Sequence, residues 1–209
     1  AAVILIVLAV SATTKNIVNV YAIGCCMQPH IVEYNKLPNE IVESWDWIND
    51  SLEHEPKIIS SAVLTSLYLS AYTSARPFLP TAYTTLLSID ETSRRYLVSQ
   101  KLFSVKNDAL RDTDLDMLYG FYFLARYGAF SNYFPNADNK IIDQKKAERI
   151  DELVGRYEAM AMPQWKDADA DYVYVGPWER KTAERDFTKD KGLELVFRAS
   201  SVEIYRIIH

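Results

Sequence analysis

Cysteine, histidine and glycine are scarce in this chain of 209 residues, and their positions exclude several kinds of site. The two cysteines are neighbours, Cys25 and Cys26, and a disulfide between neighbours is strained because the bridge needs a particular Cα separation and orientation. The chain therefore has no disulfide framework. The three histidines, His30, His54 and His209, are far apart, and no two have the spacing of metal ligands. We expect no metal site.

Glycine-rich phosphate loops and hydrolase nucleophile motifs are also missing. The six glycines lie singly and form no P-loop, G-x-G-x-x-G or G-x-S-x-G pattern. The net charge is −5, and no local cluster of Lys and Arg reverses its sign. This composition argues against a nucleic-acid surface. We therefore expect no cofactor, no nucleic-acid partner and no hydrolysis by the 209 residues alone.

The N-terminal run AAVILIVLAV, residues 1–10, is too short to cross a membrane. As a helix it would be about 15 Å long, half of the roughly 30 Å hydrocarbon core of a bilayer. It has no basic region before it and no cleavage site after it, so it is a poor signal peptide. Two interpretations remain, a buried strand or the end of a transmembrane helix. We assign residues 1–37 to a membrane-proximal segment and linker.

The next part of the chain alternates between helix and strand signals. A helix begins at Asn39, and its apolar residues recur with the period of one helix face until the Pro56 region. KIISS, residues 57–61, predicts a strand, and residues 62–72 predict a helix. Arg76-Pro77-Phe78-Leu79-Pro80 predicts an extended edge segment, because proline suits an edge. This rhythm is typical of an α/β sheet.

Helices dominate the middle of the sequence. Ser88 and Glu91 form a capping box that opens a helix to about Phe103. A helix buried nearly all round follows, capped at its start by Asp112 or Asp114 and with Gly128 as its C-cap; its apolar stripe is Leu115, Leu118, Tyr119, Tyr122 and Phe123. A charged amphipathic helix is predicted over residues 143–160. Residues 107–165 are therefore predicted to be a helical insertion.

The C-terminal segment DADYVYVGPWERKTAERDFTKDKGLELVFRASSVEIYRIIH predicts a strand, a short helix and a hairpin. The strand is residues 172–175, the helix runs from Trp178 to about Phe187, and residues 193–197 pair with 202–208. The pairing is antiparallel because three residues are too few for a parallel crossover. The predicted fold is thus α/β, with a mixed sheet of about five strands flanked by helices, a helical insertion and a C-terminal antiparallel hairpin, all within one domain at 38–209.

Asp167, Asp169 and Asp171 alternate just before the strand at residues 172–175. Such a run can bind a hard cation, but the EF-hand pattern fails, since Tyr172 replaces the required glycine and Trp178 the required glutamate. We interpret the three aspartates as a strand cap.

Charged residues that flank predicted elements form the candidate ligand site. They are Arg76 after the second helix, Glu91 and Arg94 (beside Arg95) in the first turns of the third, and Glu179 and Arg180 directly after a strand. Ligands of open α/β sheets bind beyond the carboxyl ends of strands, and paired arginines suit phosphate or carboxylate. We predict that Arg76, Glu91, Arg94, Glu179 and Arg180 converge on one face of the sheet and bind a ligand, without a catalytic role. A surface salt-bridge network is the alternative.

With these residues the chain resembles a known family. The order WDWIND, KIISS, AYTSARP, ETSRR, DYVYVGPWER and VEIYRI is similar to that of the soluble C-terminal domain of polytopic membrane glycosyltransferases of the GT-C type. The similarity covers about residues 38–105 and 169–208. These motifs are moderately specific in combination and weak singly.

The resemblance implies a location and a role. The domain would be membrane-attached on the extracytoplasmic side of an enzyme that takes sugar from a lipid-phosphate carrier, with catalysis in a membrane part outside these residues. The run AAVILIVLAV would end the last membrane helix. A lipid-linked sugar or a glycan acceptor would be the ligand. The alternative is a non-catalytic cell-envelope module that binds a glycan or a protein partner.

Overall fold

The computed structural model describes residues 37–53, 55–80, 87–120, 122–127 and 139–208. Apart from residues 37–39, they belong to one structural unit, Glu40–His209. The predictions about the apolar run at 1–10, the linker up to residue 36, the cysteine pair, the three histidines and the Gly128 cap lie outside the described residues.

Helices and strands alternate along the first part of the described chain and again at its end. The helices are α1 (Asn39–Ser51), α2 (Val63–Tyr72), α3 (Ile89–Leu102), α4 (Asn107–Arg111), α5 (Leu115–Tyr119), α6 (Tyr122–Tyr127), α7 (Asn139–Ala159) and α8 (Pro177–Thr182). The strands are β1 (Lys57–Ile59), β2 (Arg76–Pro77), β3 (Tyr172–Val175), β4 (Leu193–Ala199) and β5 (Val202–Ile207), and 3₁₀ turns cover Trp165–Asp167 and Phe187–Lys189. Within the described ranges, we find no helix with the length and hydrophobicity of a membrane span.

The five strands form one mixed sheet in the order β2-β1-β3-β5-β4. Strands β2, β1 and β3 are parallel, while β5 runs antiparallel to both β3 and β4. The final hairpin turns at Ser200 and Ser201, and Ser200 adopts a φ of 46°. The predicted α/β class, the mixed five-stranded sheet and the C-terminal antiparallel hairpin are therefore confirmed.

Helices cover both faces of the sheet because side chains alternate along the strands. On one face the buried Tyr174 of β3 donates or accepts a hydrogen bond of 3.0 Å with Ser44 of α1. On the other face Val173 and Val175 belong to a hydrophobic core that also contains Phe103, just after α3. The central strand β3 is thus enclosed, which explains its apolar sequence.

Helices α4 to α7 build a second hydrophobic core against α3. The prediction of one continuous helix from Leu115 to the Gly128 cap is wrong, because the chain turns at Gly120, whose φ of 60° and ψ of −138° are incompatible with a helix. Asp114 caps α5 with its carboxylate, which accepts two backbone N–H groups. Apolar periodicity continues across the break, so the pattern shows the burial of these residues but not the interruption.

The predicted helix from Trp178 to Phe187 is shorter in the structure. Helix α8 ends at Thr182, and the next residue, Ala183, has extended backbone angles and forms a β-bridge with Val105. The charged segment that follows Ala183 therefore runs past the end of α3 instead of continuing helix α8.

Candidate functional site

Glu179 is fully buried between the carboxyl ends of β1 and β3, in a cluster of hydrogen-bonded groups that we call the joint. Its Oε1 accepts the hydroxyl of Thr65 at 2.6 Å and the backbone N–H of Ala62 at 3.3 Å, and its Oε2 accepts the N–H of Gly176 at 2.9 Å. The carboxylate thus supplies acceptors to the first turns of both α2 and α8. It holds together the two connections that follow these parallel strands.

Neighbouring polar groups extend this joint. Ser60 and Ser66 share a hydrogen bond of 3.1 Å, and Gln100 of α3 donates to the carbonyl of Ser61 at 2.6 Å. All four residues are buried. The Ser61 hydroxyl has no hydrogen-bond partner among the described residues. The carboxyl ends of β1 and β3 are therefore filled by the protein's own polar groups.

Burial raises the pKa of Glu179 above its ordinary value of 4.5, and the donors from Thr65, Gly176 and Ala62 oppose this rise. A group with a raised folded-state pKa contributes stability that is fully present below its unfolded value and is lost as the pH rises through the folded value. We expect the stability advantage of the wild type over Glu179→Gln to be largest below about pH 4.5 and to shrink towards neutral pH. Urea unfolding of both proteins across this range measures it. An advantage that grows with pH would mean that the three donors outweigh burial.

Arg180 faces a different set of partners from Glu179. It donates to Glu203 of β5 at 2.5 Å and to the Ser201 carbonyl at 2.9 Å. Glu203 is nearly buried and also accepts bonds from Arg198 at 2.8 Å and from the Tyr205 hydroxyl at 2.8 Å. Burial and the bond to Glu203 raise the pKa of Tyr205 to about 12. Arg180 therefore fastens α8 to the C-terminal hairpin.

Glu91 joins two arginines on the first turns of α3. Its carboxylate accepts two bonds from Arg94, at 2.7 and 2.8 Å, and one from Arg95 at 2.8 Å. These bonds lower the pKa of Glu91 to about 2. Of the predicted capping box, the Ser88 cap is present, since the Ser88 hydroxyl accepts the Glu91 N–H at 3.2 Å, whereas the Glu91 carboxylate binds the two arginines. The predicted pair Glu91 and Arg94 is thus in direct contact.

Arg76 lines a groove beside the edge strand β2, which we call the β2 groove. Its charged lining residues are Lys57, Arg76, Arg95 and Asp169. The half-buried Pro77 and Pro80 contribute apolar surface, and the volume of the groove is about 550 Å³. Arg76 also pairs with Glu55, and Lys57 pairs with Asp169 at 2.6 Å. Arg95 reaches the groove from α3 and donates to the Phe78 carbonyl at 3.0 Å.

The five predicted site residues thus fall into separate groups. Arg76 is in register with Lys57 at the start of its strand, and Glu179 follows the end of β3. Along the parallel strands, the position of Arg76 and the end of β3 are about four residues apart. At roughly 3.3 Å per residue, this is a distance of some 13 Å. Glu91 contacts Arg95, which lines the groove. A ligand role for the five residues stays a prediction.

Sequence reasoning missed two lining residues of the β2 groove, Lys57 and Asp169. Asp169 belongs to the aspartate run that we interpreted as a strand cap, and Asp171 indeed accepts the Lys57 backbone N–H at 2.8 Å. The contact between Lys57 and Asp169 joins residues 112 positions apart, and no motif signals it. In the described part of the chain, no three His, Cys, Asp or Glu side chains are placed to hold a metal ion.

Comparisons of the chain with protein-family models, with curated proteins and with solved structures return no significant match.

Proposed function

We propose that this chain is the extracytoplasmic accessory domain of a membrane glycosyltransferase that uses a lipid-phosphate-linked sugar, with catalysis in the membrane part of the parent protein. The family resemblance described above is the starting point. The domain is attached to the membrane through the region that precedes it, and its role is to position the lipid-linked sugar or the glycan acceptor.

One observation carries the accessory role. Three polar side chains of the DYVYVGPWER motif hold the fold together. Tyr174 binds Ser44, Glu179 joins the β1 and β3 connections, and Arg180 binds Glu203. A catalytic group must be able to reach a reacting atom, whereas Glu179 has no exposed surface. The motif therefore supports a scaffold beside an active site that lies elsewhere.

The test compares three forms of the parent protein in membranes. They are the intact protein, a deletion of residues 40–209, and the 209-residue chain alone, each given a polyprenyl-phosphate-linked radiolabelled sugar. We expect the intact protein to remove label from the carrier and the 209-residue chain to remove none. The deletion should slow the reaction about a hundredfold, the scale of effect expected when a positioning element is lost. Turnover by the 209-residue chain, or none by the intact protein, would overturn the proposal.

A cell-envelope module that binds a glycan is the second candidate, and one aromatic surface favours it. Tyr72 is 56% exposed, and its ring stacks on the buried Trp45 at 4.8 Å and 2°. Asn49 fixes the backbone beside it through bonds to the Tyr72 carbonyl and the Ser74 N–H. A rigid tyrosine with one open face is a suitable contact for a sugar ring, because little conformational entropy is lost on binding. This candidate would be favoured if the 209-residue chain binds a glycan, if Tyr72→Ala abolishes that binding, and if the parent protein transfers no sugar.

A further inference from the structure

The β2 groove differs in charge from the rest of the molecule. Lys57, Arg76 and Arg95 contribute three positive charges to its lining and Asp169 contributes one negative charge, whereas the whole chain carries −5. Two further carboxylates, Glu55 and Glu91, pair with Arg76 and Arg95 but do not line the groove. Cations therefore outnumber carboxylates in the lining, while the chain as a whole is acidic.

The cations come from three separate elements, β1, β2 and α3, so the fold itself brings them together. Arg95 is held in place by Glu91, by the Phe78 carbonyl and by the Phe78 ring, 5.5 Å from its guanidinium. These bonds engage two of its five N–H groups. The other three have no hydrogen-bond partner within the described ranges. Arg95 is thus an oriented donor with capacity left for a ligand.

The groove is larger than an inorganic anion requires. Its volume of about 550 Å³ falls in the range of roughly 300–1,000 Å³ that is common for small-molecule sites. Pro77 and Pro80, which are half-buried, give it apolar surface beside the cations. A fitting ligand therefore has an anionic group and an organic part.

We infer that the β2 groove binds a phosphate monoester, with its phosphoryl group held by Lys57, Arg76 and Arg95 and its organic part against Pro77 and Pro80. A phosphate monoester carries about −1.5 to −2 charges at neutral pH, and the three cations of the lining are suitable partners for them. Guanidinium groups suit its oxygens because they donate two parallel hydrogen bonds. The phosphoryl site stands independently, and the inference rests on the proposed function only for a lipid-borne source of the phosphate.

Calorimetric titration of the 209-residue chain with glucose 1-phosphate tests the site. We expect saturable binding that weakens about tenfold in Arg76→Gln and in Arg95→Gln, since each variant removes a charge-assisted hydrogen bond. Binding should weaken further as salt is added. Circular dichroism of each variant separates a lost contact from lost folding, which matters for Arg95 because it also binds the Phe78 carbonyl.

Two further variants make the test specific. Asp169→Asn removes the negative charge of the lining and frees Lys57, so it should bind glucose 1-phosphate several-fold more tightly. A purely structural role of the charged residues predicts no such gain. The matched control is Arg111→Gln, an exposed arginine on α4 paired with Asp151, which should bind like the wild type.

Vesicles distinguish the two sources of the phosphate. Phosphatidylcholine vesicles with and without polyprenyl phosphate are tested for co-sedimentation with the chain. If the chain co-sediments only with vesicles that contain polyprenyl phosphate, and if Arg76→Gln reduces this co-sedimentation, the site binds a lipid phosphate. If the chain binds glucose 1-phosphate but not these vesicles, the site binds a soluble sugar phosphate. No saturable binding of either probe, or equal losses in Arg111→Gln and Arg95→Gln, would overturn the inference. The calorimetric and vesicle experiments do not use the sugar-transfer assay. A failure of the phosphate site is therefore distinguishable from a failure of the proposed function.

Discussion

Replacing Glu179 with alanine lowers the free energy of unfolding by about 3–5 kcal/mol, because the substitution leaves two buried donors and one partly buried donor without their acceptor. These donors are the Thr65 hydroxyl and the N–H groups of Ala62 and Gly176. Each unsatisfied buried donor costs about 1–3 kcal/mol, and removing the desolvated carboxylate offsets part of that sum. Urea denaturation at pH 5, followed by circular dichroism, measures the loss.

The control for this variant is Glu184→Ala, five residues further along the chain. Glu184 is exposed and pairs with the exposed Lys106 at 2.6 Å, and exposed pairs contribute little to stability. Its midpoint of unfolding should match that of the wild type. A loss below about 1 kcal/mol for Glu179→Ala would show that water replaces the carboxylate in the joint, and that the joint does not depend on this residue.

The sheet could be predicted because its signals are local. The segments around β1 and β3 are short apolar runs bounded by turn residues or charges, and the connection between β4 and β5 is too short for anything but a hairpin. The break at Gly120 could not be predicted in the same way. The apolar period of a helix continues through it, and only the backbone angles of the glycine reveal the turn.

The candidate site was harder to predict because side chains of residues that are adjacent in sequence can point in different directions. Glu179 and Arg180 both follow β3, but successive residues on a helix point about 100° apart. One side chain therefore turns into the protein and the other towards the hairpin. The β2 groove shows the opposite case. Lys57 and Arg95 are distant in sequence and meet only because β1, β2 and α3 pack side by side.

Phe103→Ala should also lower the free energy of unfolding by about 3–5 kcal/mol, the usual range for a large buried aromatic. Phe103 has no exposed surface and directly follows α3. Its ring packs edge-on against the rings of Phe187 and Trp165, with distances between ring centroids of 5.1 and 6.0 Å. The substitution removes these contacts and leaves a cavity between the sheet and the two 3₁₀ turns. Urea midpoints of the variant and of the wild type give the change.

The same variant tests whether the sheet and the helical segment fold as one unit. Helix α3 places Leu97 in the core formed by α4 to α7, and the chain directly after it places Phe103 in the core beneath the sheet. We therefore expect circular dichroism and tryptophan fluorescence to report a single coincident transition in both proteins. Phe103→Leu, which keeps most of the apolar volume, should lose less than about 1.5 kcal/mol. Two separate transitions in Phe103→Ala would show instead that the helical segment is stable without the core beneath the sheet.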